Sequence, residues 1–284
     1  EEQKARFLPR MASSEDMWAQ GWSEPNAGSD MAAITSKAIL SADGTHYVVN
    51  GQKTWSTRAS FADWLFGLFR SDPGSSRHHG LSYLAVPLDT PGVTIRPIQA
   101  LNGKQAFAEI FFDDVKVPVE NRIGDEGQGW HVAMATAGFE RGLLLRSPAR
   151  FQATARKLVE LYKAHRASAD RDPGLRDAVL ETWMGAEAYA LSAYYTVGRL
   201  SRGEQIGAES SINKIIWSEL DLKMHETAMR ILGARGELVN KGAPADDAAG
   251  WLEGFLFAQS GPIYAGTNEI QRNIIAERML GLPK

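Results

Sequence analysis

The sequence predicts an α+β chain of more than one domain, in which a β barrel or sandwich is followed by a helix bundle. Three observations carry this. The 284 residues are 44% hydrophobic, enough to fill two cores. From about residue 18 to 123, short apolar stretches alternate with Gly, Pro and Asp, the punctuation of strands and turns. After Gly129 the apolar residues recur at helical spacing over long runs.

The opening residues, "EEQKARFLPRMASSEDMWAQ", read as the end of a helix, so residues 1–17 are expected to close a helical region that begins upstream. In "SADGTHYVVNGQKTW" two strands are expected around turns at Asp43-Gly44 and Asn50-Gly51. "WLFGLFR", "LSYLAVPL", "GVTIRPI" and "AFAEIFFDDVKV" supply further strands, giving a β domain over 18–124. His78 and His79 adjoin a Pro-Gly-Ser-Ser stretch that reads as a surface loop. The region 125–284 carries four long helical patterns: "WHVAMATAGFERGLLL", "GLRDAVLETWMGAEAYALSAYYTVGRL", "AESSINKIIWSELDLKMHETAMRIL" and "NEIQRNIIAERML". The stripe of Trp183, Met184, Tyr189, Tyr194 and Tyr195 is expected in the bundle core. "NKGAPADDAAGW", residues 240–251, reads as a surface excursion. In "GPIYAGTNEIQRN", Asn268 followed three residues on by Gln271 has the form of a capping box, ahead of apolar Ile270, Ile274, Ile275 and Met279.

Composition narrows the function classes. A net charge of -3 provides no basic field for nucleic acid, and no apolar run approaches the roughly 20 residues of a membrane helix. With no cysteine, disulfides, thiolate nucleophiles and cysteine-ligated metals are excluded. The six histidines form no HExxH or HxxxH pair, so no metal site is expected. The first residues lack both a transit-peptide composition and an apolar signal core. A cytoplasmic, bacterial-type location is expected, with the mitochondrial matrix kept open because the chain starts inside a helix.

Two segments could carry chemistry. "WAQGWSEPNAGSD", residues 18–30, joins small residues, hydroxyls and a tight turn, which lets main-chain amides close on a polar ligand. An ordinary Gly-rich turn has the same composition. In "NGQKTWSTRAS", residues 50–60, Trp55 is either a core aromatic or a ligand platform, and Ser56 and Thr57 are either site hydroxyls or solvent-facing strand residues.

Together with "FDDVKVPVENRIGDEGQGW", "RILGARG" and "YAGTNEIQRNIIAERMLG", in this order, these segments resemble the acyl-CoA dehydrogenase family. The five matches span essentially the whole chain. The resemblance implies an N-terminal helical domain, largely missing here, a middle β domain and a C-terminal four-helix bundle. It also implies bound FAD, an acyl-CoA substrate, electron transfer flavoprotein as acceptor, and a homo- or hetero-oligomer. By match to the first motif, Trp22 and Ser23 would lie along the isoalloxazine, and Gly28 and Ser29 near the pyrophosphate or the substrate. By match to the second, Trp55 would pack on the flavin and Thr57 would bond near N5. Arg230, Gly233 and Ala234 in "RILGA", with Thr267 and Glu269, match the remaining FAD contacts. Tyr264, Gly266 and Arg141 fall on the substrate side.

The family removes the α-proton of an acyl-CoA thioester with a carboxylate while the β-hydrogen leaves as hydride, giving a trans-2-enoyl-CoA. The thioester oxygen needs hydrogen bonds as enolate charge develops, one of them from the backbone N–H at position 265. Most members have glutamate there, in "YEGT"; this chain has Ala265, which retains the amide and loses the base. In isovaleryl- and long-chain members the base sits on a bundle helix immediately before an arginine, and here Glu140 precedes Arg141 at that place. Adjacent opposite charges on a helix also form ordinary structural pairs. The family's "RxxFG" segment has no counterpart between 142 and 175, and Arg230 and Ala234 replace the usual glutamine and glycine. Two alternatives therefore stand beside the dehydrogenase: a non-catalytic or half-site subunit of a heteromer, and a flavin monooxygenase on the same fold.

Overall fold

The structure, a computed structural model, describes residues 1–143, 146–170, 172–204, 206–239 and 247–283; of 138–143, 247 and 249 the backbone alone is described. The chain divides into two compact units, Glu1–Gly138 and Phe139–Lys284.

The first unit opens with helix α1 (Glu2–Ala12), which buries Phe7. Eight strands follow: β1 (Trp18–Gly21), β2 (Lys37–Leu40), β3 (His46–Thr57), β4 (Trp64–Arg70), β5 (Leu81–Pro87), β6 (Val93–Gln99), β7 (Gln105–Pro118) and β8 (Arg122–Ile123). They form one mixed sheet in the order β6-β7-β3-β2-β4-β5-β8, with β1 added parallel to β4. The Asp43-Gly44 turn joins β2 to β3 as expected, with Leu40 opposite Tyr47. Asn50-Gly51 is not a turn. β3 runs straight through it, paired with β7, and the extra residue is absorbed as a bulge between Val49 and Gly51. The Asn50 side chain closes the gap, exchanging two 2.9 Å bonds with Asp114. Gly51 has φ +138°, and a Cβ there would fall 2.4 Å from Ser36 Oγ, so the glycine of the turn signal is needed for a close approach. Alternation along β3 and β7 buries Tyr47, Val49, Ala108, Ile110, Val115 and Val117 in one core. A smaller core contains Ala27, Ile34, Leu68, Leu81 and Tyr83, with Trp22 packed against it.

The unit division falls within α2 (Gly129–Leu143). Beyond it lie α3 (Pro148–Ala164), α4 (Arg166–Ala169), α5 (Pro173–Ser201), α6 (Ser210–Leu232), α7 (Asp247–Ala258) and α8 (Asn268–Arg278). α6 packs against α3, α5, α7 and α8. α3 has Pro148 in its first turn and buries Phe151, Ala155, Leu158 and Leu161, a clear helical period that the long-helix reading passed over.

The stripe expected in the core is there for one member only. Tyr189 is buried, but Trp183, Met184, Tyr194 and Tyr195 are exposed, the last three by more than 60%. α5 packs inward through Ala178, Thr182, Ala186 and Ala193, small residues that allow close helix approach, together with Tyr189, and its other aromatic side chains take the exposed face. α5 also starts on a true cap, Asp172 accepting from the Gly174 N–H. Among the described residues no helix is long and apolar enough to cross a membrane.

Candidate active site

In the first unit, the two motifs that carried the sequence reading are bonded to each other. β1 ends at Gly21, and the chain turns through Glu24-Pro25-Asn26-Ala27, closed by reciprocal 3.0 Å bonds between Glu24 and Ala27. The Thr54 N–H donates to the Ser23 carbonyl at 2.9 Å. Beneath them lies a buried ion pair that the sequence reading missed. Lys53 is fully buried, and its Nζ donates to Glu24 Oε1 at 2.8 Å, to the Leu68 carbonyl at 2.7 Å and to the Trp22 carbonyl at 3.4 Å. Glu24 also accepts from the Thr35 N–H, the Thr35 hydroxyl and the Ser36 N–H. Burial pushes the Lys53 ammonium down to about 8, against the attraction of Glu24. Burial would raise the Glu24 carboxyl, but Lys53 and these donors outweigh it and hold it below its ordinary value. The signal available in sequence was the pairing of Glu24 in the first motif with Lys53 in the second, two charges inside otherwise strand-like segments.

This clamp holds a surface with unusual features. Trp22 is half-buried and its indole N–H donates to the Tyr83 hydroxyl at 2.8 Å. Trp55 is 60% exposed on a second bulge of β3, between Lys53 and Ser56, with φ +58°. A bulky residue in the left-handed region is strained, and such strain concentrates where a side chain must be aimed. Its ring packs edge-on against Phe107 and leaves a face open. Beside it the Thr57 side chain is exposed, and the Ser56 hydroxyl is buried without a partner among the described residues. Gly28 and Ser29 are exposed, and a Cβ at Gly28 would meet nothing within 4 Å, so packing does not require that glycine. An open indole face beside the exposed Thr57 fits a planar aromatic with polar margins, as an isoalloxazine is.

In the second unit, the segment Gly261–Asn268 forms a turn against α6. Ala265 and Gly266 both have positive φ, +55° and +83°. Among the described residues neither of their N–H groups has an acceptor, so two amide donors stand free side by side. α8 is capped by Thr267, whose hydroxyl accepts from the Ile270 N–H at 3.3 Å, and not by Asn268. Asn268 is buried: its Oδ1 accepts from Lys214 at 2.7 Å and its backbone N–H donates to the Pro262 carbonyl at 2.8 Å. Gln271 likewise leaves the expected capping box, its amide reaching the carbonyls of Ala265 and Gly266 at 3.4 Å. Ser, Thr, Asp and Asn all cap, and the buried lysine decides which of the two neighbours is drawn inward. The Glu269 carboxyl, exposed in the first turn of α8, is held below its ordinary range by its own backbone N–H and then by the Thr267 hydroxyl.

Tyr264, at the entrance to this turn, accepts from Arg146 at 2.5 Å. The Arg146 guanidinium also lies over the rings of Trp217 and Tyr264, 4.9 and 5.5 Å from their centroids. Burial raises the Tyr264 hydroxyl, with Arg146 opposing. Arg146 was not singled out in the sequence. Arg230 donates to Asp172 at 2.7 Å, so the residue matched to a cofactor contact straps the end of α6 to the α5 cap. Gly233, with φ +55°, and exposed Ala234 follow in a 3-10 turn. Glu140 and Arg141 fall within α2, and their side chains lie outside the described residues.

Residues 19–115 match the family model of the acyl-CoA dehydrogenase middle domain, and residues 127–280 that of the acyl-CoA dehydrogenase C-terminal domain. The chain is 41% identical over its whole length to acyl-CoA dehydrogenase IpdE1 of Mycolicibacterium smegmatis, covering 72% of that protein. Its fold is similar to the Tcur3481-Tcur3483 steroid ACAD, with a TM-score of 0.89 at 28% identity, covering all of this chain and 73% of that one. It is also similar to the ChsE4-ChsE5 complex from Mycobacterium tuberculosis, with a TM-score of 0.85 at 29% identity, covering all of this chain and 74% of that one.

Proposed function

The chain belongs to the acyl-CoA dehydrogenase family of FAD-dependent oxidoreductases, and from that premise we propose that Glu140 takes the α-proton while the Ala265 N–H receives the thioester oxygen. The observation that carries this reading is the turn itself. Residue 265 is held at positive φ with its N–H free, which suits an oxyanion donor, while its side chain is a methyl group that accepts no proton. The proton chemistry then needs another carboxylate, and Glu140, before Arg141 on α2, is the position that matches the family's helix-borne base.

In this reading Trp22, Ser23, Trp55 and Thr57 hold the isoalloxazine, Gly28 and Ser29 the pyrophosphate or substrate margin, and Thr267 and Glu269 a further part of the FAD. When bound, FAD supplies a hydride acceptor for the substrate's β-hydrogen. The carboxylate of Glu140 accepts the α-proton. Hydrogen bonding at Ala265 lowers the cost of the enolate charge that this transfer creates. Tyr264, fixed by Arg146, Gly266 and Arg141 border the acyl thioester. Electron transfer flavoprotein is the electron acceptor by family resemblance.

We propose further that the working assembly is heteromeric. Supporting this are the missing "RxxFG" segment, the use of Arg230 in an intrachain ion pair, and the exposed aromatic face of α5. Two of the solved relatives are themselves described by a pair of proteins. The test is anaerobic titration of the FAD-loaded protein, alone and with candidate sister chains, against short, branched, long and steroid-linked acyl-CoA thioesters. Glu140→Gln should retain FAD and lose bleaching by every thioester. Unchanged reduction removes Glu140 as the base, and a colourless assembly supports an auxiliary subunit.

A further inference from the structure

We infer that Lys214 is a positioning residue for the reacting thioester: from inside the bundle it fixes the turn Gly261–Asn268 in the one shape that leaves the Ala265 N–H free to donate. The inference rests on the oxyanion role proposed for Ala265.

Lys214 is fully buried on α6, and both of its hydrogen-bond acceptors belong to the turn. Nζ donates to the Gly261 carbonyl at 2.9 Å and to Asn268 Oδ1 at 2.7 Å, the first and last residues of the segment. One ammonium therefore sets the distance across the base of the loop. Ser218, one helical turn on, donates to the same Asn268 oxygen at 3.2 Å, and Asn268 Nδ2 donates to Glu219 Oε1 at 3.2 Å. Glu219 is in turn paired with Arg272 of α8. α6 thus grips the turn from Lys214, Ser218 and Glu219, while Gln271 touches the carbonyls of Ala265 and Gly266 from the other side.

The energetics argue that the lysine is there for shape. A buried ammonium is costly unless fully bonded, and burial draws its pKa down to about 8 against the pull of Glu269 and Glu219. A packed apolar side chain would cost less to bury. What an apolar side chain cannot do is donate to two oxygens at once, and both oxygens lie where the chain must reverse through two left-handed residues, one of them an alanine. Removing the charge leaves Gly261 O and Asn268 Oδ1 without this donor, and Ala265 is then free to leave positive φ, carrying its amide with it.

The test uses the FAD-loaded full chain in its assembly, with trans-2-octenoyl-CoA labelled with 13C at the thioester carbonyl. On binding to the parent protein, the carbonyl stretch is expected to fall in frequency as the Ala265 N–H donates to it. In Lys214→Met the band should return towards its value in water, kcat should fall by more than KM changes, and amides of 261–268 should exchange about tenfold faster while the rest of the unit is unchanged. Because the chain has no cysteine, Lys214→Cys, unfolded on its own, can be alkylated with 2-bromoethylamine at that site alone before refolding and assembly, rebuilding the ammonium, and this should restore band and exchange together. A Lys214→Met protein that keeps both the shifted band and parental exchange overturns the assignment. If the parent shows no shift, the reading of Ala265 fails, and exchange decides Lys214 by itself: acceleration confined to the turn upholds its positioning role, and parental exchange overturns it.

Discussion

Replacing Lys53 by methionine would leave Glu24 as a carboxylate without its counter-charge at the base of the Trp22–Trp55 surface. The change removes a 2.8 Å charge-assisted bond, a 2.7 Å bond to the Leu68 carbonyl, a longer one to Trp22 and a cation held 4.9 Å over the Phe69 ring. Breaking a buried pair from one side costs about 3 to 5 kcal/mol. Glu24 keeps three donors, from Thr35 and Ser36, so the lower end, about 3 kcal/mol, is expected. Native-state hydrogen exchange at core amides of β4 and β5 reads this unit separately from the helical one. The double variant Lys53→Met/Glu24→Gln should recover about 1 to 2 kcal/mol, because no unpaired buried charge remains. The pH dependence has a definite sign. Between pH 8 and 10.5 the unfolded chain still holds the Lys53 proton that the folded chain has released, so this group's contribution to stability rises with pH. The rise should vanish in Lys53→Met. A single-variant cost below about 1 kcal/mol, or a double variant no better than the single, would refute the reasoning.

Trp55→Gly relieves a left-handed tryptophan and forfeits little burial, so apoprotein stability should stay within about 1 kcal/mol while FAD affinity falls at least about tenfold, checked by fluorescence titration of the apoprotein. Gly254→Ala would gain helix propensity on an open face, yet here the added Cβ lies 2.2 Å from His225 Nε2, whose ring is fixed by a 2.8 Å bond from Nδ1 to the Asp221 carbonyl. A loss of about 1 to 3 kcal/mol is expected, and thermal unfolding at or above the parental midpoint would contradict it. In a Glu140→Gln background, Ala265→Glu should restore part of the flavin bleaching, since it returns a carboxylate to the turn; stopped-flow reduction that stays at the single-variant rate counts against the turn as a base site.

The strands and long helices were legible because their signals are local. "WLFGLFR" and "LSYLAVPL" became β4 and β5 with little shift, since a short apolar run between Gly and Pro has few other outcomes. The misreadings came where a distant partner decided. Asn50-Gly51 became a bulge because β7 pairs along both sides of it, and Asn268 gave up the cap to Thr267 because Lys214, 54 residues away, binds its side chain. Trp183, Met184, Tyr194 and Tyr195 show that hydropathy alone does not choose a helix's inner face; the alanines of α5 do, by letting α3 and α6 come close. The motif residues of the site were readable as a resemblance; the Glu24–Lys53 pair left only the faint signal of a charge in each of the two motifs, and Arg146 and Lys214 left none, since nothing local marks either charge as turned inward.

The turn at 261–268 is held by side chains that are not its own residue 265. Lys214, Asn268, Ser218 and Gln271 do the holding, and the side chain at 265 takes no part. Substitution at that site is therefore mechanically silent: a carboxylate can be lost from it, or regained, in a single mutational step without redrawing the loop that presents the amide. A scaffold with this property can hand one half of a two-part chemical task to a neighbouring helix while the other half stays where it was, which makes the site of the base, but not the site of the oxygen, free to drift among relatives.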